Sequence, residues 1–291
     1  MKLSVIIPCF NAADTIATQL EALANQYWSE PWEIIVADNG STDNSVDIVM
    51  RYKDLLSNLR IVDASDKGGQ AHAKNIGARN ARGVSLAFCD ADDEVAPGWV
   101  AKMGEALSKY DFVACRMEIK KLNPPWVLKS RNNPQESSVQ KYKYPPYLPH
   151  AGGSTIGVKR WIHDAIGGFD ESMIFLEDTD YCWRIQLKGI ELHFIPEAVI
   201  HIRFKNKIKD IYMQAGKWGE YNVKIYKRYL PYGMQKLTWR QGVISWKNLL
   251  KNFIKDIPNI RDKGDIAKWA WQFGWRLGRV KGSIKHRVFA L

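Results

Sequence analysis

Ser85-Leu86-Ala87-Phe88-Cys89-Asp90-Ala91-Asp92-Asp93 decides how this chain is read. The apolar run Ser85–Cys89, with turn signals around it, predicts a buried strand. The carboxylates at its end cannot all pack into a core, because unpaired buried charge is too costly. They need a cation, and oxygen ligands at this spacing suit a hard divalent ion such as Mg2+ or Mn2+. Ligands of open α/β sheets sit at the carboxyl ends of strands. The segment therefore implies an enzyme that handles a nucleotide diphosphate through a metal.

Outward from that strand, the chain alternates strand and helix on short loops. Leu3-Ser4-Val5-Ile6-Ile7 predicts a buried strand ended by Pro8. Ile16, Leu20 and Leu23 form a helical stripe opened by Asn11–Thr15. A second strand covers Glu33 to Asp38 and runs into the turn-rich Asn39-Gly40-Ser41-Thr42-Asp43, followed by a second helix. Leu59–Val62 is a third strand, and Gly68-Gly69 leads into a third helix through about Arg82. This alternation predicts a parallel sheet with right-handed crossovers. Pro97 opens another helix, and Asp111 to Met117 is a further strand. Residues 119–150, rich in proline, predict a long irregular loop of the kind that faces a substrate.

Charge is unevenly distributed. Residues 203–291 carry 21 Lys+Arg against 5 Asp+Glu, whereas the first 202 residues are net acidic. A basic tail on an acidic body suggests an anionic partner. Six of the twelve tryptophans lie in that tail. Trp239, Val243, Trp246, Leu250, Phe253 and Ile257 follow one another at helical spacing, flanked by Arg240, Lys247, Lys251 and Lys255. Ile266, Trp269, Phe273, Leu277 and Val280 form another such stripe. Two readings stand beside each other: helices packing on the body, or contact with an anionic membrane surface, where Trp and Lys/Arg are favoured. Cys9, Cys89, Cys115 and Cys182 have no metal-knuckle or redox spacing and read as buried thiols. The chain opens directly on a strand pattern and contains no run of 18 apolar residues. The expectation is a cytoplasmic protein, peripheral at the inner face of the cell membrane.

Six pieces recur in a telling order: Ile6-Ile7-Pro8-Cys9-Phe10-Asn11, Val36-Ala37-Asp38-Asn39-Gly40-Ser41, Ala73-Lys74-Asn75, Asp90-Ala91-Asp92-Asp93, Gly167-Gly168-Phe169-Asp170-Glu171 and Glu177-Asp178-Thr179-Asp180. On these the chain resembles a family 2 glycosyltransferase of the GT-A fold over roughly residues 1–205. The expected architecture is α/β: a Rossmann-like nucleotide-binding sheet with helices on both faces at 1–205, and a basic, helical C-terminal extension at 206–291.

The resemblance implies roles. Pro8, Phe10 and Asn11 with Asp38 would hold the nucleoside; Asp38 reads equally as a turn residue fixing Asn39-Gly40. Asp66 would lie near the base. Lys74 would reach a phosphate, where the family more often has Arg, and it reads equally as a surface lysine. Asp92 would hold Mn2+ or Mg2+, and Asp90 would touch the ribose or a metal-bound water. Asp93 reads as a helix cap. Of the pair Glu177-Asp178, Asp178 would be the general base and Glu177 would contact the acceptor, with Asp180 as an alternative base. His201 would be a metal ligand beside Asp92, or a structural histidine.

The implied reaction is inverting transfer from a nucleotide-diphosphate sugar, most simply a UDP-sugar, to a hydroxyl of a saccharide or lipid-linked saccharide, in polysaccharide or glycolipid biosynthesis. A nucleic-acid-binding protein would explain the basic tail but not the acidic strand end, so no nucleic acid is expected as partner. A catalytically silent GT-A domain would not need the acidic motifs. No G-x-G-x-x-G follows the first strand, which excludes the dinucleotide-dehydrogenase fingerprint.

Overall fold

The computed structural model describes all 291 residues. In chain order the elements are β1 (Leu3–Cys9), α1 (Ile16–Ala24), β2 (Trp32–Asp38), α2 (Ser45–Tyr52), β3 (Leu59–Asp63), α3 (Gln70–Asn80), β4 (Ser85–Phe88), β5 (Glu94–Val95), α4 (Trp99–Lys109), β6 (Phe112–Glu118), α5 (Pro125–Leu128), β7 (Ile156–Lys159), α6 (Arg160–Ala165), α7 (Glu177–Gln186), β8 (His193–His201), α8 (Ile208–Tyr229), α9 (Trp239–Asp256) and α10 (Lys263–His286). They form two compact units. One comprises Met1–Glu118, Pro134–Gln140 and Leu148–Arg203; the other comprises Ile119–Asn133, Lys141–Tyr147 and Phe204–Leu291.

The first unit is built on one sheet of order β3-β2-β1-β4-β7-β6-β8-β5. Strands β1 to β4 are mutually parallel, as the alternation predicts. The other half differs: β7 runs antiparallel to both β4 and β6, and β5 antiparallel to β8. The sheet is therefore mixed, not parallel throughout. Every residue of β1 is buried, because helices cover both faces of the sheet, and a strand covered twice must be apolar on both sides. Ile16, Leu20 and Leu23 of α1 are fully buried against that sheet, so the predicted stripe is the packed face. On the other side α3 lies close to β1; a methyl group at Gly77 would come within 2.5 Å of Ile6 Cγ2, so the helix needs a glycine there.

The parallel strands bring their carboxyl ends to one edge. Asp38 ends β2, and the turns after β1 and β4 carry Asn11 and Asp90 respectively. After β4 the chain does not return to a neighbour. It crosses to β5, at the far edge of the sheet, where Glu94 pairs with His201.

The second unit centres on α8 and α10. Their backbones touch: a side chain at Gly278 would strike the Gly216 carbonyl, and one at Gly219 would strike the Trp275 carbonyl. Glu220 is buried in this pair and is held by Lys281 (3.1 Å) and Lys285 (2.6 Å). The buried Arg279 donates to Asn222, which also meets Tyr142. The segment Ile119–Asn133 belongs here. Arg131 lies 3.7 Å from the Phe204 ring centroid and 4.8 Å from that of Trp271. Lys129 reaches Asp262, the N-cap of α10, at 2.5 Å. The 119–150 stretch is thus not one uniform loop, since it contains α5 and contributes to both units. Helices α9 and α10 coincide with the two predicted amphipathic stripes, and no helix is long and apolar enough to cross a membrane.

Candidate functional site

The turns at the carboxyl ends of β1, β2 and β3 form a cradle. Pro8 is buried within β1, and Phe10 beyond it is exposed. Asn11 adopts a left-handed conformation, φ 47°, which Asn tolerates better than other non-glycine residues. Its Oδ1 accepts from Thr42 N (2.8 Å), and its own N–H donates to Ser41 Oγ (3.1 Å). Asp38 accepts from Ser41 N at 3.3 Å, so the turn-fixing role is present in the fold. Asn39 ties the neighbouring loop, accepting from Gly69 N (2.7 Å) and donating to the Lys67 carbonyl (2.8 Å). Asp66 is exposed and pairs with His72 Nε2 at 2.8 Å. The opposite nitrogen of His72 lies 3.1 Å from Glu171, which also meets Lys67 at 2.6 Å. Burial works against the Glu171 charge, but Lys67, Asn75 and His72 outweigh it and hold the carboxyl down at about 2.

The acidic turn gathers Asp90, Asp92 and Asp93, with one oxygen of each within 4.8 Å of the others. Asp93 is buried, and burial first, then Asp90 and Asp92, push its carboxyl far above the ordinary range. It does not cap α4, whose N-cap is Gly98. Instead it accepts from Arg203 N at 2.9 Å, and Arg203 Nε donates to the Asp92 carbonyl at 3.0 Å. Three carboxylate oxygens grouped this closely fit a hard divalent ion. His201 stands outside the 4.8 Å grouping of aspartates. Its Nδ1 is 2.8 Å from Glu118, so Nε2 is the ring nitrogen that Glu118 does not engage.

Between the acidic turn and α7 lies Lys74. It is not the surface lysine that one reading allowed: it is wholly buried, 3.5 Å from Glu177 and 4.0 Å from Asp90. Burial disfavours its charge, yet Asp90, Glu177 and Asp178 together more than compensate and raise its pKa. Glu177 feels the opposite balance. Burial pushes it up to about 7 despite the attraction of Lys74. Three carboxylates around one ammonium leave two negative charges uncompensated, and Glu177, the most enclosed of the three, is the one whose carboxyl burial raises.

Asp178 is half-buried at the start of α7. Gly153 N donates to its Oδ2 (2.9 Å) and Thr179 N to its Oδ1 (2.7 Å). Leu176, which precedes the pair, has φ 59°, a conformation that costs a branched residue energy and that concentrates at functional sites. Asp180, the alternative base, is fully buried and locked to Arg184 Nε at 2.7 Å, which makes it a structural residue.

Several contributors escaped the sequence reading. Gln70 donates to Asp90 at 2.8 Å, Gly153 positions Asp178, and Glu118 and Arg203 brace His201 and the acidic turn. No local motif marks them; each is brought in from a distant element.

A family model, "Glycosyl transferase family 2", matches residues 4–167. Chondroitin synthase of Pasteurella multocida is 28% identical over 273 residues, covering 81% of this chain and 28% of that protein. The chain spans only 27–39% of the length of the first curated relatives it matches. Among solved structures, mannosyltransferase PcManGT from Pyrobaculum calidifontis, in complex with GDP-Man and Mn2+, superposes with TM-score 0.68 at 18% identity, covering 97% of this chain and 86% of that one. S. aureus TarS 1-349 in complex with UDP-GlcNAc gives 0.54 at 17% identity, covering 100% and 93%. These likenesses establish the fold as that of GT-A glycosyltransferases. With the family model spanning the strands and turns that build the cradle and the acidic cluster, the chain belongs to glycosyl transferase family 2.

Proposed function

We propose that this chain is a metal-dependent, inverting glycosyltransferase that moves a sugar from a UDP-sugar to a hydroxyl of a saccharide or lipid-linked saccharide acceptor. One observation carries the reading: the buried Lys74 ammonium touches Asp90 on the donor side and Glu177 beside Asp178 on the other. A nucleotide-metal site and a candidate base are thereby joined through a single cation.

Asp178 is the base in this reading. Its Oδ1 accepts from the N–H and hydroxyl of Thr179, and its Oδ2, held by the Gly153 N–H, retains a lone pair for an acceptor hydroxyl. Removing that proton while the hydroxyl attacks the anomeric carbon displaces the diphosphate in one step and inverts the centre. Glu177, beside Asp178 and paired with Lys74, is placed to hydrogen-bond the acceptor in this reading. Asp38, Asn11, Phe10 and Pro8 shape the nucleoside pocket, with Asp66 at its rim. Asp92, with Asp90 and Asp93, would hold Mn2+ or Mg2+, and His201 would complete the set through Nε2. Bound there, such an ion supplies Lewis-acid stabilisation of the departing diphosphate.

The TarS complexes with UDP and UDP-GlcNAc support a UDP-sugar, and the PcManGT complex with GDP-Man makes a GDP-sugar the competing donor. A polysaccharide acceptor is favoured by relatives named chondroitin synthase and poly(ribitol-phosphate) beta-glucosyltransferase. The test is release of nucleoside diphosphate from UDP-, GDP- and dTDP-sugars with Mn2+, Mg2+ or EDTA. Metal-dependent release from one donor supports the reading and names that donor. Absence of release, with no stabilisation by any nucleotide and metal, sinks it.

A further inference from the structure

We infer that α9 is a membrane-docking helix that lies flat on an anionic phospholipid surface. The three tail helices differ sharply. α8 and α10 bury their small-residue faces in each other, whereas only Gly242 and Leu249 of α9 are buried. Its apolar residues point outward: Ile254 is 67% exposed, Trp239 62% and Val243 57%. At about 100° per residue, Trp239, Val243, Leu250, Ile254 and Ile257 fall within an arc of about 60°. Arg240, Lys247, Lys251 and Lys255 occupy the adjoining arc, of about 80°, together with the exposed Ile244.

All four of these basic side chains are exposed, and residues 239–255 contain no acid to neutralise them. Beside the stripe lies an apolar groove of about 480 Å³ lined by Trp239, Val243, Trp246, Leu250, Phe289 and Leu291. A Thr238–Gln241 capping box fixes the start of the helix, so the face is preformed.

This combination selects the occupant. A nucleic acid would engage the basic ridge but would leave five large apolar side chains in water. A neutral protein partner would cover the apolar stripe but would not require an acid-free basic margin. A lipid interface offers both at once: headgroup phosphates for the lysines, and the upper acyl region for Leu250, Ile254 and Trp239, the last at the depth tryptophan favours. The inference is independent of the glycosyl-transfer reading and uses none of its residues.

The test is co-sedimentation of the full chain with vesicles of pure phosphatidylcholine or of phosphatidylcholine with phosphatidylglycerol in equal parts, at low and high salt. The expected result is binding to the anionic vesicles only, weakened by salt. Lys247→Glu/Lys251→Glu/Lys255→Glu should lower it at least tenfold, as should Ile254→Ser/Leu250→Ser. Melting temperature and donor hydrolysis in detergent-free solution should match wild type in both variants, which separates this result from failure of the enzyme assignment. Equal binding by wild type and both variants, or no binding to anionic vesicles, overturns the inference. So does a concentration-dependent dimer abolished by Ile254→Ser/Leu250→Ser, or salt-sensitive binding to duplex DNA stronger than to vesicles.

Discussion

Lys74 and Glu177 form a buried ion pair, 3.5 Å apart, between a helix that follows the nucleotide cradle and the helix that presents Asp178. Neither group can be relieved by water, so the pair is a structural commitment as much as a catalytic one. Removing one partner of such a pair costs about 3–5 kcal/mol, because the other is left buried and uncompensated. Lys74→Met should therefore lower stability by that order in a denaturant titration. Lys74→Met/Glu177→Gln should recover part of the loss and none of the activity. Equal stability of Lys74→Met and wild type would show that the ammonium is hydrated in solution.

Asp178→Asn keeps the shape of the side chain but cannot take a proton. Turnover should fall on the order of 10²–10⁴-fold, the usual worth of a general base. Affinity for UDP and metal, read by calorimetry, should stay at the wild-type value. A variant that transfers sugar at the wild-type rate would move the base to Glu177.

Metal removal should act through the donor. Thermal stabilisation by UDP should appear with Mn2+ or Mg2+ and vanish with EDTA; saturation at 100 times the dissociation constant corresponds to about 2.7 kcal/mol. Asp92→Asn should abolish the metal-dependent part. His201→Gln should weaken metal affinity if Nε2 is a ligand, and Glu118→Gln, which removes the partner of that ligand, should weaken it by about 10–100-fold. An unchanged affinity would leave His201 the structural partner of Glu118.

Glu171 supplies a pH signature. Its carboxyl is held at about 2 against an ordinary 4.5, so the folded state binds a proton less readily than the unfolded chain. The stabilisation is complete above pH 4.5 and is lost as pH falls towards 2. Glu171→Gln should melt a few degrees below wild type near neutral pH, and the gap should close through that acid window. A gap independent of pH would assign the loss to packing.

Gly278→Ala should destabilise the α8–α10 pair, since its methyl meets the Gly216 carbonyl, which cannot move without its helix. Overpacking of this kind costs about 1–3 kcal/mol, readable as an earlier melting transition. Gly233→Ala is not a fair control, because Gly233 has φ 91°. Gly68, with open space around it, is.

What was legible in the sequence follows from range. The α1 stripe and the strand-end aspartates are set by neighbours within one element, and periodicity reads them directly. The direction of β7 is not: a four-residue apolar strand carries no signal for which way it enters a sheet. The burial of Lys74 was equally invisible, because the carboxylate that neutralises it, Glu177, is 103 residues away. The same holds for Asp93, which looks like a cap until Arg203 is folded against it.

That last contact has a consequence for synthesis. The acidic turn ends at Asp93, yet the backbone group that anchors it belongs to a residue 110 positions later, and the strand that receives β5 is β8. A chain emerging from the ribosome can close the β1–β4 core and its nucleoside turns early, since those contacts are local in order. It cannot anchor the acidic turn until Arg203 has emerged. Nascent or truncated chains that stop before β8 would carry the turns after β1 and β2 with an unset acidic turn. On the proposed reading, donor turnover would be acquired only when this unit is complete.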